Sequence, residues 1–134
     1  MKKILLTLLL AICATTMFAE ISFYKATSYA YKYVDSDTDE WVDWTDWIDC
    51  NVKVSFNFDD DIIKIYSNEQ QTYVITEYGD EEDDGQGGRM WSLDVVDQDG
   101  DKGTVRLRIE KGGNSQLYVD FANVMWVYNV TSIN

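Results

Sequence analysis

Hydrophobic and polar residues alternate with a period of two over most of the chain, which predicts β-strands that each bury one face. The alternation is regular over residues 52–58 and returns over residues 62–66, after a run of three aspartates. A two-residue turn between these segments would place Phe56 opposite Ile63, so that both apolar sides share one face of a hairpin. The pattern therefore predicts the register of this hairpin as well as its strands.

The same alternation continues to the C-terminal end of the sequence. The further strands that it predicts are 91–95, 104–110, 116–121 and 124–130, joined by short segments with Asp-Gly and Gly-Gly turn signals. The last strand is apolar or aromatic on both faces, so we expect it to be covered on both sides or to close a seam. Residues 21–34 and 71–78 are also rich in strand-forming residues, but the pattern does not fix which face of 71–78 is buried.

About eight strands joined in sequence by short turns favour an all-β fold with one antiparallel meander. Such hairpins favour a small up-and-down barrel, because a Greek-key sandwich needs longer crossing connections. A two-sheet β-sandwich stays open as the alternative. In outline the predicted barrel resembles the calycin-type barrels of lipocalins. The resemblance is architectural and implies no function, since no family motif maps onto these residues.

One connection within the predicted meander is long and acidic. Residues 79–88 have glycine at both ends and five consecutive acidic residues between them. Such a composition predicts a mobile, solvated loop.

The first 19 residues have the three-part layout of a secretory signal peptide. Lys2 and Lys3 precede an apolar run, and the segment ends in small and polar residues at Ala19, where we expect cleavage. Lipidation of Cys13 is the less favoured alternative, because Ile12 stands where a small residue is expected. The apolar run is shorter than the ~20 residues that span a bilayer. The prediction is a signal peptide (1–19) followed by a single all-β domain (20–134), secreted or periplasmic, with no membrane span.

Charge and residue types exclude several functions. The signal segment holds two of the 11 basic residues and none of the 24 acidic ones, which leaves a net charge of −15 after cleavage. A chain this acidic repels nucleic acid and anionic membranes. The absence of histidine excludes Ser-His-Asp and Cys-His nucleophile systems and histidine metal sites. Cys50 is the one cysteine left after cleavage, and its position predicts a small inward-facing residue.

The stretch DEWVDWTDWIDC (39–50) repeats acid, tryptophan and β-branched residue three times. In an extended strand Trp44 would lie on the face opposite Trp41 and Trp47, whereas a helical turn would bring all three rings into one stripe. A stripe could stack on a sugar while Asp43 and Asp46 accept hydrogen bonds from its hydroxyls. These five residues are the candidate ligand-binding site. In the competing interpretation one or two tryptophans cap the barrel end or fill its mouth, and at least one is expected to be buried.

The other acidic clusters are expected to be solvated turns. The segments 35–40 and 97–101 carry carboxylates at every second position, as calcium loops do, but neither has the glycine of an EF-hand at its sixth place. We therefore predict no metal site and no cofactor.

Arg106 and Arg108 are predicted to face outward on one strand, with Asp94 and Asp120 on neighbouring strands as their cross-strand partners. The inward positions that can be assigned are apolar, which argues against catalysis by paired carboxylates. The sequence thus predicts an exported, non-enzymatic binding protein for a carbohydrate or another small ligand. The alternative is an inhibitor-like domain that binds a protein partner through the arginine strand or the acidic 79–88 segment. The sequence does not specify an oligomeric state.

Overall fold

The computed structural model describes residues 21–133, which form a closed barrel of eight antiparallel strands. The strands are β1 (Ile21–Tyr33), β2 (Ile48–Asn57), β3 (Ile62–Ile65), β4 (Gln71–Asp83), β5 (Arg89–Val96), β6 (Lys102–Ile109), β7 (Ser115–Asp120) and β8 (Val124–Ser132). Each strand pairs with the next one, and β8 returns to pair with β1. The predicted up-and-down barrel is confirmed, and the sandwich alternative is wrong. The predicted signal peptide lies outside the described residues.

Inward side chains from all eight strands fill the barrel. Val54, Ile63, Ile65, Val105 and Leu117 are completely buried. An eight-stranded barrel has an interior just wide enough for its side chains to fill. The described part of the chain contains no helix long and apolar enough to cross a membrane.

The first predicted hairpin is confirmed in its register, with Phe56 opposite Ile63. Cys50 packs against the core, and its Sγ donates a hydrogen bond to the carbonyl oxygen of Ala26 at 3.6 Å. Burial raises the pKa of the Cys50 thiol, and the neighbouring Asp49 carboxylate raises it further. The prediction of an inward-facing cysteine is therefore confirmed.

Irregular pairing in β4 explains why alternation could not assign the buried face of this strand. Tyr73 and Ile75 point inward two residues apart, but the register then shifts, and Tyr78 is the next buried side chain. A second shift in β1, between Ala26 and Ser28, has the same effect there. An extra residue at such a bulge exchanges the inward-facing and outward-facing positions in the part of the strand that follows it.

The seam between β1 and β8 is covered on both faces, as the apolar character of β8 predicts. Tyr128 lies opposite Tyr29 on the inner face of the barrel. The next pair, Val127 and Ala30, points outward, yet these residues are only 4% and 3% exposed. Something on the outer surface must therefore cover the seam, and it is the tryptophan-rich segment.

Candidate ligand-binding surface

The segment 41–47 runs along the edge of β1 beyond the point where β2 pairs with it. The N–H of Val42 donates to the carbonyl oxygen of Tyr33 at 2.9 Å, and the N–H of Thr45 donates to the carbonyl oxygen of Tyr31 at 3.0 Å. The N–H of Tyr31 is satisfied by the Thr45 hydroxyl, at 3.1 Å, instead of by a backbone carbonyl. The segment is consequently neither a helix nor a regular strand, although it is anchored to one.

A tight acidic turn delivers the chain to this position. The Asp35 side-chain Oδ1 accepts hydrogen bonds from the backbone N–H groups of Asp37 (2.7 Å) and Thr38 (3.4 Å). The backbone carbonyl oxygen of Asp35 accepts a hydrogen bond from the N–H of Asp39. Asp39 has a φ of 58°, a left-handed conformation that aspartate tolerates better than most residues. The Asp35 side chain therefore organises the turn that redirects the chain onto the outer surface.

All three tryptophans of the repeat are exposed: Trp41 to 42%, Trp44 to 39% and Trp47 to 50%. The expectation that at least one is buried, as a cap or plug of the barrel, is wrong. The physical reason is that strand side chains already fill the core, while the segment is hydrogen-bonded to an edge of β1.

Trp41, Trp44 and Trp47 follow one another along the outer surface, and we call them the tryptophan row. Lys32 Nζ lies 5.3 Å from the ring centroid of Trp41 and 4.9 Å from that of Trp44, so one ammonium links two rings. Trp44 and Trp47 in turn border one shallow groove. The rings are thus linked through Lys32 and a shared groove on an irregular backbone, which is neither of the two regular geometries that the sequence analysis considered.

The groove beside the row has a volume of about 270 Å³ and an apolar floor made by Ala30 and Val127. Polar groups stand along one side: the Tyr118 hydroxyl donates to Gln116 Oε1 at 3.1 Å, and Gln116 Nε2 donates to Asn129 Oδ1 at 3.3 Å. Sequence reasoning missed these floor and wall residues. The available signal was the apolar residue Val127 at an outward position of β8.

Asp43 and Asp46, the carboxylates of the candidate site, are exposed on the same segment. Within residues 21–133, no hydrogen bond or ion pair engages either side chain. Both carboxylates are therefore accessible to solvent next to exposed indole rings.

The arginines of β6 are engaged within the barrel surface. Arg106 forms a bidentate ion pair with Asp120, with distances of 2.5 and 3.1 Å, and its guanidinium lies 4.3 Å from the Tyr118 ring centroid. Arg108 pairs with Asp84 at 3.0 Å, where the sequence had suggested Asp94. The cross-strand partnership of Arg106 with Asp120 is thus confirmed.

The acidic 79–88 segment is also more ordered than predicted. Strand β4 continues through Asp83, and Asp84 Oδ1 then accepts the N–H groups of Gln86 and Gly88, each at 2.8 Å. The Asp84 side chain is only 2% exposed beside Arg108. The prediction of a loop is wrong through Asp83, where β4 continues with its acidic side chains exposed as expected, and the prediction of a solvated carboxylate is wrong for Asp84, which backbone donors and a guanidinium hold.

The Asp84 carboxylate should make stability depend on acid pH. Its pKa is lowered chiefly by the hydrogen bond from the Gln86 backbone, with further contributions from Gly88 and Arg108. A lowered folded-state pKa stabilises the fold above the ordinary carboxyl pKa, and this contribution disappears as pH falls through the lower folded value. We expect Asp84→Asn to be destabilised most at neutral pH, with the difference from wild type shrinking below about pH 4.

Urea unfolding followed from pH 7 towards pH 2 measures this difference. Asp59→Asn, at an exposed turn carboxyl, is the matched control and should change the free energy of unfolding by less than about 0.5 kcal/mol. A destabilisation of Asp84→Asn that is constant across this pH range would contradict the assignment.

The carboxylates of Asp97, Asp99 and Asp101 lie within 4.8 Å of one another. Asp97 Oδ1 accepts the N–H groups of Asp99 (2.9 Å) and Asp101 (2.8 Å), which closes the turn between β5 and β6. These acids therefore have a structural part in the turn, and the absence of a metal site stays a prediction.

Fold and surface together define a closed eight-stranded antiparallel barrel that displays an aromatic row on its outside. The chain matches no family model, no curated protein and no solved structure in the comparisons with known proteins.

Proposed function

We propose that this protein is an exported, non-enzymatic binding protein that takes carbohydrate on the tryptophan row. The observation that carries the proposal is the exposure of the three indoles of the row, between 39% and 50%, two of which border a groove with polar side chains on one wall. Water-exposed tryptophans are costly to maintain unless a partner covers them, and a row of them is a recognised sign of a binding surface.

Carbohydrate fits the chemistry of this surface. Flat indole faces pack on the apolar C–H faces of sugar rings, while carboxylate and amide groups exchange hydrogen bonds with hydroxyls. Asp43 and Asp46 offer free acceptors, while Gln116 and Tyr118, which are hydrogen-bonded to each other, form the polar wall of the groove. Lys32 holds Trp41 and Trp44 in place, so less ordering is required when a ligand binds.

Support for a non-enzymatic role comes from the core, whose buried residues are apolar apart from tyrosines and Ser55. Support for export comes from the sequence of residues 1–19, and Cys50 as the one cysteine after it leaves no internal disulfide. A domain without an internal disulfide is stabilised by its barrel core alone.

Titration with a panel of soluble oligosaccharides, followed by tryptophan fluorescence and calorimetry, tests the proposal. We expect a saturable quench or blue shift of the tryptophan emission. The double variant Trp44→Ala/Trp47→Ala should bind the same sugar at least about tenfold more weakly. Tyr66→Ala, which removes an aromatic ring that is 42% exposed outside the row, is the matched control and should bind normally. No response to any glycan in the panel would reject carbohydrate as the ligand.

Recognition of a protein partner is the second candidate function, and the same row favours it. Tryptophan is enriched among residues that dominate protein–protein interfaces, and exposed Tyr33 is hydrogen-bonded through its backbone to the same segment. Arg106 is already paired with Asp120, and Arg108 with Asp84. Because these charges are neutralised within the protein, the tryptophan row is a better candidate interface than strand β6. A stoichiometric complex that is lost in the double tryptophan variant, without any glycan response, would favour this function.

A further inference from the structure

One end of the barrel opens into a cavity of about 390 Å³ that is distinct from the groove under the tryptophan row. Five aromatic side chains line it: Tyr29, Tyr31, Tyr73, Trp126 and Tyr128. The cavity and the groove share no residue, because successive residues of β1 and β8 point to opposite faces of the sheet. The cavity is thus an open depression at the end of the barrel, above the filled core, and the groove lies on the outer face of the sheet.

The rings around the cavity support one another. Tyr29 stacks on Tyr31 with centroids 6.4 Å apart and contacts Tyr128 at 6.1 Å. On the other side, Phe121 stacks on Trp126 at 6.0 Å. Since these residues lie on paired strands or next to them, the aromatic wall is formed before any ligand arrives.

The polar groups within the wall are already committed to each other. The Tyr73 hydroxyl donates to Gln71 Oε1 at 2.5 Å, and Gln71 Nε2 donates to the Tyr128 hydroxyl at 3.2 Å and to Ser67 Oγ at 3.0 Å. A sugar, which needs many free hydrogen-bonding groups, would find few here. The cavity therefore selects for a different ligand chemistry than the outer row.

Its electrostatics favour positive charge. Glu69 is an exposed carboxylate in the lining, and no lysine or arginine is among the lining residues. Burial raises the pKa of both Tyr73 and Tyr128, which shows that their hydroxyl groups lie within the wall and away from solvent. Electron-rich ring faces attract cations, and tyrosine and tryptophan are the strongest such faces in proteins.

The Trp126 indole N–H is part of the wall and offers no contact to a ligand. Its nitrogen is buried and has no acceptor in hydrogen-bonding geometry, although it comes close enough to the Tyr128 hydroxyl to counteract slightly the pKa rise that burial causes there. Trp126 therefore takes part in the lining through its ring.

We propose that the barrel-end cavity binds a small organic cation whose ammonium group carries apolar substituents. The ammonium lies against the tyrosine rings and near Glu69. The volume is in the range of pockets that bind small molecules. The site is separate from the tryptophan row and does not depend on what that row binds.

Calorimetric titration of the full chain with choline, compared with its uncharged isostere 3,3-dimethyl-1-butanol, tests this site. At constant ionic strength, choline should bind at least about fivefold more tightly than the isostere, because only choline carries the charge. Tyr31→Leu and Glu69→Gln should each weaken choline binding about threefold or more. Both positions are exposed, so these variants are expected to fold.

Two controls separate this cavity from the outer surface. Glu69→Gln should leave binding of the isostere unchanged, and Trp47→Ala should leave choline binding unchanged. Equal affinity for choline and its isostere would overturn the proposal, and so would the absence of binding for choline and tetraethylammonium at about 10 mM. Choline binding that is lost in Trp47→Ala would move the site to the tryptophan row and equally overturn it.

Discussion

Leu117→Ala is expected to lower the free energy of unfolding by about 3 kcal/mol. Leu117 is completely buried in the middle of β7, opposite Leu107 on one neighbouring strand and Tyr128 on the other. Removing its side chain leaves a void that the barrel cannot close, because each neighbour is held in register by hydrogen bonds on both sides. A loss of this size is a large part of the roughly 5–15 kcal/mol that stabilises a typical domain.

Urea unfolding monitored by circular dichroism measures this loss. An unchanged slope of the unfolding free energy against urea concentration would show that the folded state is otherwise intact. Val74→Ala is the matched control. Val74 also lies on a strand, but it points outward and is 48% exposed, so its truncation should cost less than about 0.5 kcal/mol. Similar losses for the two variants would show that the barrel interior is not the main source of stability.

Gly79→Ala is expected to destabilise the protein by about 2 kcal/mol or more. A Cβ built on Gly79 would lie 2.5 Å from the carbonyl oxygen of Ser92 on the adjacent strand. That contact is with backbone, so it can be relieved only by moving β4 away from β5. Such a movement would disturb the pairing of Tyr78 with Leu93 and the hydrogen bond from the Tyr78 hydroxyl to Asp61.

Gly112→Ala is the control for this substitution, because a Cβ at Gly112 meets nothing within 4 Å. We expect its free energy of unfolding to stay within about 0.5 kcal/mol of wild type. Thermal and urea unfolding of both variants provides the comparison. If Gly79→Ala is as stable as Gly112→Ala, the close approach of β4 and β5 does not constrain this position.

The pairing register of the hairpin between β2 and β3 was predictable from the sequence, because a short turn joins two strands with strict alternation. The opposite holds for β4, where the register shifts after Ile75 and again after Tyr78. Nothing local in the sequence marks those shifts, because a bulge is stabilised by pairing with another strand. The acidic 79–88 segment was misjudged for a related reason: the guanidinium that holds Asp84 lies 24 residues away on Arg108.

The candidate site shows the same division. Trp41, Trp44 and Trp47 could be selected from the sequence because an acid–tryptophan–β-branched repeat is unusual. Their common surface could not be derived, since the two regular geometries considered were a helix and a strand. The irregular path depends on hydrogen bonds to Tyr31 and Tyr33 and on an ammonium from Lys32.

The sequence by itself determined the number and order of the strands, because alternation is a local property of each segment and the turns between segments are short. It also determined that the tryptophan repeat was the place to look for a site. Only the tertiary structure decided that β8 closes on β1, that the tryptophans lie outside the barrel, and that an aromatic cavity opens at one end. These features depend on residues far apart in the chain, such as Tyr29 and Tyr128, whose proximity follows from closure of the barrel.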